Sequence, residues 1–213
     1  MARKTKEEAL ATRSCLIDAA ELVFLERGVS QTSLNEVAKV AGTSRGAIYW
    51  HFKDKAALFD AMMDRVTLPM ELTLERQQAN ESSDPLTSLR EMMSTILKSM
   101  VNDARACRVF EIATHKVEYA GELLSLKDRQ QNGCKKFQGL VESNLRTAAR
   151  LQSVRLPMSA EMAARGLHAM FSGLIQDWFL NDFNFDIIES GRKFTDTYLR
   201  GLGLNLSAAS AGR

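Results

Sequence analysis

Only three prolines, Pro69, Pro85 and Pro157, punctuate the 213 residues, while apolar side chains recur every three or four positions and strict alternation is nearly absent. A backbone so rarely deprived of its N–H, with that period, folds as helices rather than as sheet. The pattern predicts an all-α chain of nine helices. The first spans about residues 7–27, with Leu16, Ala20, Val23, Phe24 and Arg27 on or near one stripe and Gly28 to end it. Ser33 and Glu36 form an S-x-x-E capping box that opens a short second helix, stopping near Ala41 and Gly42. Thr43 and Ser44 can cap a third, closing near residues 50–52. Asp54 caps a long fourth helix toward Asn80, with a kink or local break expected at Pro69. The polar linker NESSDP follows, and Asp84 with Pro85 opens the fifth helix. The remaining helices are expected near residues 104–115, 121–151, 159–180 and 187–204.

A content of 45% hydrophobic and 25% charged residues suits a globular chain with a sizeable core. Cys15, Cys107 and Cys134 form no CxxC pair and fit a reducing compartment. Buried free thiols are the default for such cysteines; redox sensing by Cys107 and Cys134 is the alternative. The start MARKTKEEAL has no apolar leader, and no run is long enough to span a membrane, so a cytoplasmic protein is expected. The net charge of +2 resides in residues 1–55, which hold nine Lys and Arg against seven Asp and Glu. Arg3, Lys4 and Lys6 precede the first acid. Such an arm either seeks phosphate or is simply a solvated terminus.

Residues 43–55, TSRGAIYWHFKDK, concentrate the chemistry. Two short helices joined by a turn containing Gly42 have the helix-turn-helix layout, whose second helix enters the DNA major groove. Ile48 and Phe52, four apart, face inward toward Leu34, Val37 and Ala38. Arg45 and Tyr49 share another face with Gly46 and Trp50. Gly46 lacks a side chain, so its backbone can approach a base pair, and its helix penalty of ~1 kcal/mol makes it poor filler. Arg45 can fork onto a guanine edge. Thr43 and Ser44 sit at a helix N-terminus suited to phosphate. Tyr49, Trp50, His51 and Lys55 can hold the DNA backbone. Adjacent aromatics also occur as core residues, and His51 serves equally well as a satisfied structural histidine.

These residues carry a resemblance. Residues 5–58 resemble the TetR family of bacterial repressors through T-x-x-x-L-I-D-A-A-E-L-V-F-L-E-R-G from Thr12, T-S-L-N-E-V-A-K-V-A-G from Thr32 and S-R-G-A-I-Y-W-H-F-K-D-K-A-A-L from Ser44. The start MARKTKEEAL, RGAIYWHF and the later DPL and EIATHKVEY segments resemble the AcrR/TtgR-type branch, repressors of multidrug efflux pumps. The resemblance implies a two-part fold. A flexible basic arm (1–6) precedes a helix-turn-helix DNA-binding domain (7–55), a ligand-binding and dimerisation domain (56–204) and a flexible tail (205–213). It implies that Thr43, Ser44, Arg45 and Gly46 lie in or over the major groove. Ser33, Tyr49, Trp50, His51 and Lys55 would then hold phosphates, with Lys4 and Lys6 in or beside the arm. It further implies a homodimer on a pseudo-palindromic double-stranded operator.

The remainder is apolar, helical and rich in methionine, a composition suited to adaptable packing around a small molecule. Met92, Met93, Ile96, Val141 and Leu167 run at helical spacing on their helices. The resemblance adds Phe110, Thr114, His115, Phe137, Phe171, Ser172 and Ile175 as lining for an apolar or aromatic inducer. Most of these positions serve equally as core. Some relatives carry polar or acidic residues where this chain has Phe110 and Ser172, which points to a more apolar, aromatic-lined pocket. The resemblance also implies that the last two helices dimerise, where Gly166, Gly173, Phe179 and Leu199 would allow close helix approach or apolar packing. Glu111, His115 and Glu118 lie about one turn apart, yet a capping or salt-bridge face explains them without a metal. No cofactor is expected, and no nucleophile–base pair or phosphate loop suggests an enzyme. A regulator of a metabolic operon, repressor or activator, remains the alternative.

Overall fold

A computed structural model describes residues 6–78 and 84–206. Among these residues there are nine α-helices: α1 (Lys6–Arg27), α2 (Leu34–Val40), α3 (Arg45–His51), α4 (Lys55–Gln78), α5 (Pro85–Asn102), α6 (Ala104–His115), α7 (Ser125–Leu151), α8 (Ala160–Leu180) and α9 (Ile187–Gly201). A single 3₁₀ turn, Gly121–Leu123, precedes α7. The all-α reading holds. Contacts divide the chain into two compact units, one of Met1–Pro69 with Asp103–Arg129, the other of Met70–Asn102 with Gln130–Arg213.

In the first unit, local chemistry sets the helix ends. Gly28 at φ +83° stops α1, its N–H bonded to the Phe24 carbonyl. The Ser33–Glu36 capping box is formed in both directions. Ser44 caps α3 by accepting from the Ala47 N–H, and Asp54 does the same for α4 through Ala57. The expected α1 stripe of Leu16, Ala20, Val23 and Phe24 is buried against Val37, Ile48, Phe59, Met62 and Ile112. Arg27 remains exposed and pairs with Glu36. Helix α6 packs on α1, bringing Val109 and Ile112 into this core.

Charges also knit the unit together. Glu21 on α1 is 1% exposed and meets Arg65 of α4 and Arg105 and Arg108 of α6 at 3.2–3.3 Å. Asp18 shares Arg65 and Arg105, and Arg65 also reaches the Ser14 hydroxyl.

In the second unit, α5 and α8 both pack on α9. An ion pair between half-buried Arg90 and buried Asp196 links α5 to α9. Gly191 of α9 lies so close to the Leu97 side chain that no Cβ fits without movement. Gly166 of α8 faces the Tyr198 hydroxyl in the same way, and Tyr198 donates to the Ala163 carbonyl at 2.9 Å. Gly166, Phe179 and Leu199 are therefore taken up within the chain: Phe179 and Leu199 are buried, and Gly166 is filled by Tyr198.

Two boundary expectations need correction. Of the kink or local break expected at Pro69, the break is absent: α4 runs through the proline. Proline forfeits one backbone bond, while Leu58, Phe59, Met62, Met63 and Val66, all on the preceding turns, hold the helix into the core. The helix expected from residue 121 begins at Ser125, because Gly121 has φ +55° and cannot be an α-helical residue. Residues 79–83, which include residues 80–83 of the expected linker, lie outside the described residues.

Candidate nucleic-acid interface and small-molecule site

Helices α2 and α3 are joined by a turn in which Gly42, at φ +65°, adopts the left-handed conformation that a side chain resists. The Thr43 N–H and hydroxyl both donate to the Ala38 carbonyl, at 2.9 and 3.4 Å. These bonds fix where α3 starts. Ile48 and Phe52 then enter the core, so the opposite face of α3 turns outward. Ser44, Arg45, Gly46, Tyr49 and Trp50 are exposed there, with Thr43 and His51 half-buried. Trp50 is 73% exposed and Tyr49 47%. Leaving two large rings in water forgoes the stabilisation their burial would give. Each ring instead meets one neighbouring side chain. The Arg45 guanidinium lies 5.7 Å over the Tyr49 ring, and Trp50 meets His51 edge-on at 4.5 Å.

Ser33 is exposed at the start of α2. Its N–H and hydroxyl both donate to Glu36, each at 2.8 Å, and these bonds, with Arg27 beyond them, hold the Glu36 carboxyl below its ordinary range. Lys6 is exposed at the first turn of α1; Lys4 and the rest of the expected arm lie outside the described residues, as do residues 207–213 of the expected tail. Lys55 is placed differently from the outward set. Its side chain is only 7% exposed, and its ammonium faces Glu122, Ser30 and Thr32.

The twelve residues expected around a small molecule divide between the two units. Phe110, Thr114 and His115 belong to the first. There Phe110 packs on the head core, and the Thr114 hydroxyl donates to the Phe110 carbonyl at 2.7 Å. The other nine belong to the second. Met92, Met93, Ile96, Val141, Leu167 and Phe171 are buried, Phe137 and Ile175 half-buried, and Ser172 exposed. Phe137 and Phe171 stack at 6.1 Å with their planes 18° apart.

His168 was not among the expected residues, yet it completes this cluster. Its ring lies 5.4 Å from Phe137, with Nδ1 3.4 Å from the Gln138 amide and Nε2 3.5 Å from the Ser172 hydroxyl. Burial lowers its pKa, so the neutral ring offers one donor and one acceptor beside two parallel aromatic faces. The signal was present in the sequence as the i, i+3 and i, i+4 spacing of His168 to Phe171 and Ser172.

Among the described residues no group of three or more His, Cys, Asp or Glu is arranged to hold a metal ion, and no helix is long and apolar enough to cross a membrane. Burial raises the Cys107 and Cys134 thiols, the former helped by Glu111, away from the reactive thiolate.

Comparison with known proteins gives two family matches. A model described as bacterial regulatory proteins of the tetR family matches residues 16–62, and one described as the C-terminal region of MAATS-type transcriptional repressors matches residues 84–204. The chain is 38% identical over 195 residues to the HTH-type transcriptional regulator AcrR of Shigella flexneri, covering 91% of this chain and 90% of that protein. It resembles the crystal structure of NalD, the secondary repressor of the MexAB-OprM multidrug efflux pump in Pseudomonas aeruginosa. The TM-score is 0.82 and the identity 37%, over 92% of this chain and 98% of NalD. A SmeT–triclosan complex is similar at TM-score 0.76 and 28% identity, over 95% and 98% of the two chains. SmeT represses the Stenotrophomonas maltophilia multidrug efflux pump SmeDEF.

Proposed function

The chain belongs to the TetR family of bacterial regulatory proteins, and from that premise we propose that it is a homodimeric, ligand-released repressor of a multidrug efflux operon. At the coarser level it is a TetR-type transcriptional repressor related to regulators of such pumps. The finer reading assigns it to the cytoplasm and to a pseudo-palindromic operator, with one α3 in each of two major grooves about one helical turn, ~34 Å, apart.

The observation that carries this reading is the outward face of α3. It leaves Tyr49 and Trp50 in solvent beside Arg45 and a bare Gly46, while Ile48 and Phe52 alone satisfy the core. In this reading Arg45 addresses base edges and Gly46 admits the backbone to the groove floor. Thr43 and Ser44 meet phosphate at the start of α3. Ser33, Tyr49, Trp50 and His51 hold the flanking phosphates, with Lys4 and Lys6 adding charge from the N-terminal side. Ser33 would share its hydroxyl with Glu36 while doing so.

The second unit would take the inducer and join the dimer. Met92, Met93, Ile96, Phe137, Val141, Leu167, Phe171, Ser172 and Ile175 offer an apolar and aromatic surface there. Met162, Ala169, Gly173 and Leu180 form one exposed stripe along α8 and are offered as the dimer face. A ligand that binds better to a conformer with mismatched head spacing lowers operator affinity by that differential.

The test is a gel-shift titration with duplexes that the wild-type protein selects from genomic fragments. The Arg45→Ala, Tyr49→Ala double variant is expected to lose the shifted band, and retained binding overturns the assignment of α3. A Phe171→Arg variant is expected to bind the same duplex while resisting release by a hydrophobic aromatic such as triclosan. Expression of the neighbouring genes in a deletion strain separates control of efflux from control of a metabolic operon.

A further inference from the structure

Lys55 is the basic residue of the 43–55 stretch that does not face outward. Its ammonium carries three hydrogens, and three acceptors surround it. They are the Ser30 carbonyl at 3.0 Å, the Thr32 carbonyl at 2.8 Å and the Glu122 carboxylate at 2.8 Å. Every donor position is occupied, and the charge is neutralised by a carboxylate in direct contact. Such a lysine has no hydrogen left for a phosphate and no uncompensated charge with which to displace a counterion.

Its connections describe a different task. The Lys55 backbone begins α4, four residues after α3 ends at His51. Its far end holds the carbonyls of the loop that leads into Ser33 and α2. That loop is tied again where the Val29 N–H donates to the Lys116 carbonyl at 2.8 Å, and Thr32, nearly fully buried, closes it from within through the Gly28 carbonyl. Glu122 sits on the 3₁₀ turn whose Leu123 is anchored in the core. One ammonium thus joins the exit of α3, the entry of α2 and the segment after α6, all within the first unit.

We propose that Lys55 and Glu122 form a positioning clamp for the DNA-reading helices, and that Lys55 is not itself a phosphate contact. The clamp fixes Ser33 and the start of α2 relative to α3, so operator affinity depends on the segment following α6 although that segment touches no DNA. The inference rests on the operator-binding reading.

The two roles predict opposite signs at Glu122. If Lys55 were a phosphate contact, removing its competing carboxylate would strengthen binding. If the pair is a clamp, removing the carboxylate weakens it. Fluorescence anisotropy with a fluorescein-labelled duplex, recovered from random-sequence DNA by the wild-type protein, measures this across a salt series. Glu118→Ala removes the same charge from a nearby exposed position and serves as reference. Glu122→Ala is expected to raise Kd about threefold over that reference, and Lys55→Met about tenfold with an unchanged slope of log K against log salt. A Glu122→Ala protein that binds as tightly as the reference or tighter overturns the clamp. So does a Lys55→Met slope shallower by about 0.9, the signature of one lost phosphate contact. Hydrogen exchange needs no DNA. In free Glu122→Ala protein the Val29 and Thr32 amides are expected to exchange at least about threefold faster than in wild type, and unchanged rates also overturn the clamp. If the wild-type protein recovers no duplex, operator binding fails on its own account while exchange still decides the clamp.

Discussion

The space that a side chain would fill at Gly46 is approached, among the described residues, only by the Ser44 hydroxyl, 3.9 Å away. Gly46 is helical and has no positive φ, so neither packing nor backbone conformation within the chain calls for glycine. Alanine there is expected to stabilise the protein by up to about 1 kcal/mol in urea unfolding. The added methyl stands on the face proposed to enter the groove, so the same variant is expected to bind operator more weakly. A Gly46→Ala protein that is more stable and binds equally well removes Gly46 from the interface.

Glu21 is the converse case, an acid whose surroundings explain it completely. Its carboxylate lies among Arg65, Arg105 and Arg108, with Asp18 sharing two of them. Glu21→Gln leaves those arginines with too little negative charge around a buried side chain. Breaking one side of such a pair costs about 3–5 kcal/mol, and a loss near the lower end is expected here because all three arginines retain some solvent access. Glu26→Gln, on the exposed side of α1, is expected to change stability by no more than about 0.5 kcal/mol. Equal urea midpoints for the two variants contradict the ionic framework.

What could be read from the sequence, and what could not, follows the range of the interactions concerned. The caps at Ser33, Ser44, Asp54 and Asp84, and the inward pair Ile48 and Phe52, depend on neighbours within four residues, and all are seen as expected. Lys55 depends on carbonyls 23 and 25 residues upstream and on an acid on the 3₁₀ turn, so in sequence it is indistinguishable from the outward bases beside it. Glu21 reads as an ordinary surface acid until arginines 44 and 87 positions away close over it. Phe110 and Thr114 have the spacing of any amphipathic helix, and nothing local reveals that α6 packs on α1. Gly166 illustrates the same limit, since small size signals close approach without saying to which helix.

His168 makes stability depend on pH. Burial lowers its pKa in the folded chain, while the unfolded chain has the ordinary value of about 6.5. Between those values the unfolded state binds more protons, so stability rises with pH. The contribution is complete above about pH 6.5 and is lost as pH falls through the folded value. Urea unfolding at pH 7.5 and at pH 5.5 is expected to show a smaller acid loss for His168→Gln than for wild type. An equal loss in both proteins excludes His168 as its source.

Gly166 and Gly173 separate packing within the chain from packing between chains. A Cβ at Gly166 runs into the Tyr198 hydroxyl and ring, and that hydroxyl is committed to the Ala163 carbonyl. Gly166→Ala therefore overfills the α8–α9 contact and is expected to cost about 1–3 kcal/mol in unfolding experiments. A Cβ at Gly173 meets nothing within 4 Å among the described residues of its own chain. It lies in line with Met162, Ala169 and Leu180, of which Met162 and Leu180 are both more than half exposed. Within one chain, Gly173→Ala is expected to gain up to about 1 kcal/mol from helix propensity. If this stripe meets its symmetry mate closely, the added methyl separates two backbones at once, because a twofold interface presents every substitution twice. Sedimentation velocity over a dilution series is then expected to show weaker association for Gly173→Ala. Gly166→Ala should associate normally wherever it is folded. An undiminished dimer for Gly173→Ala moves the subunit contact off this face of α8.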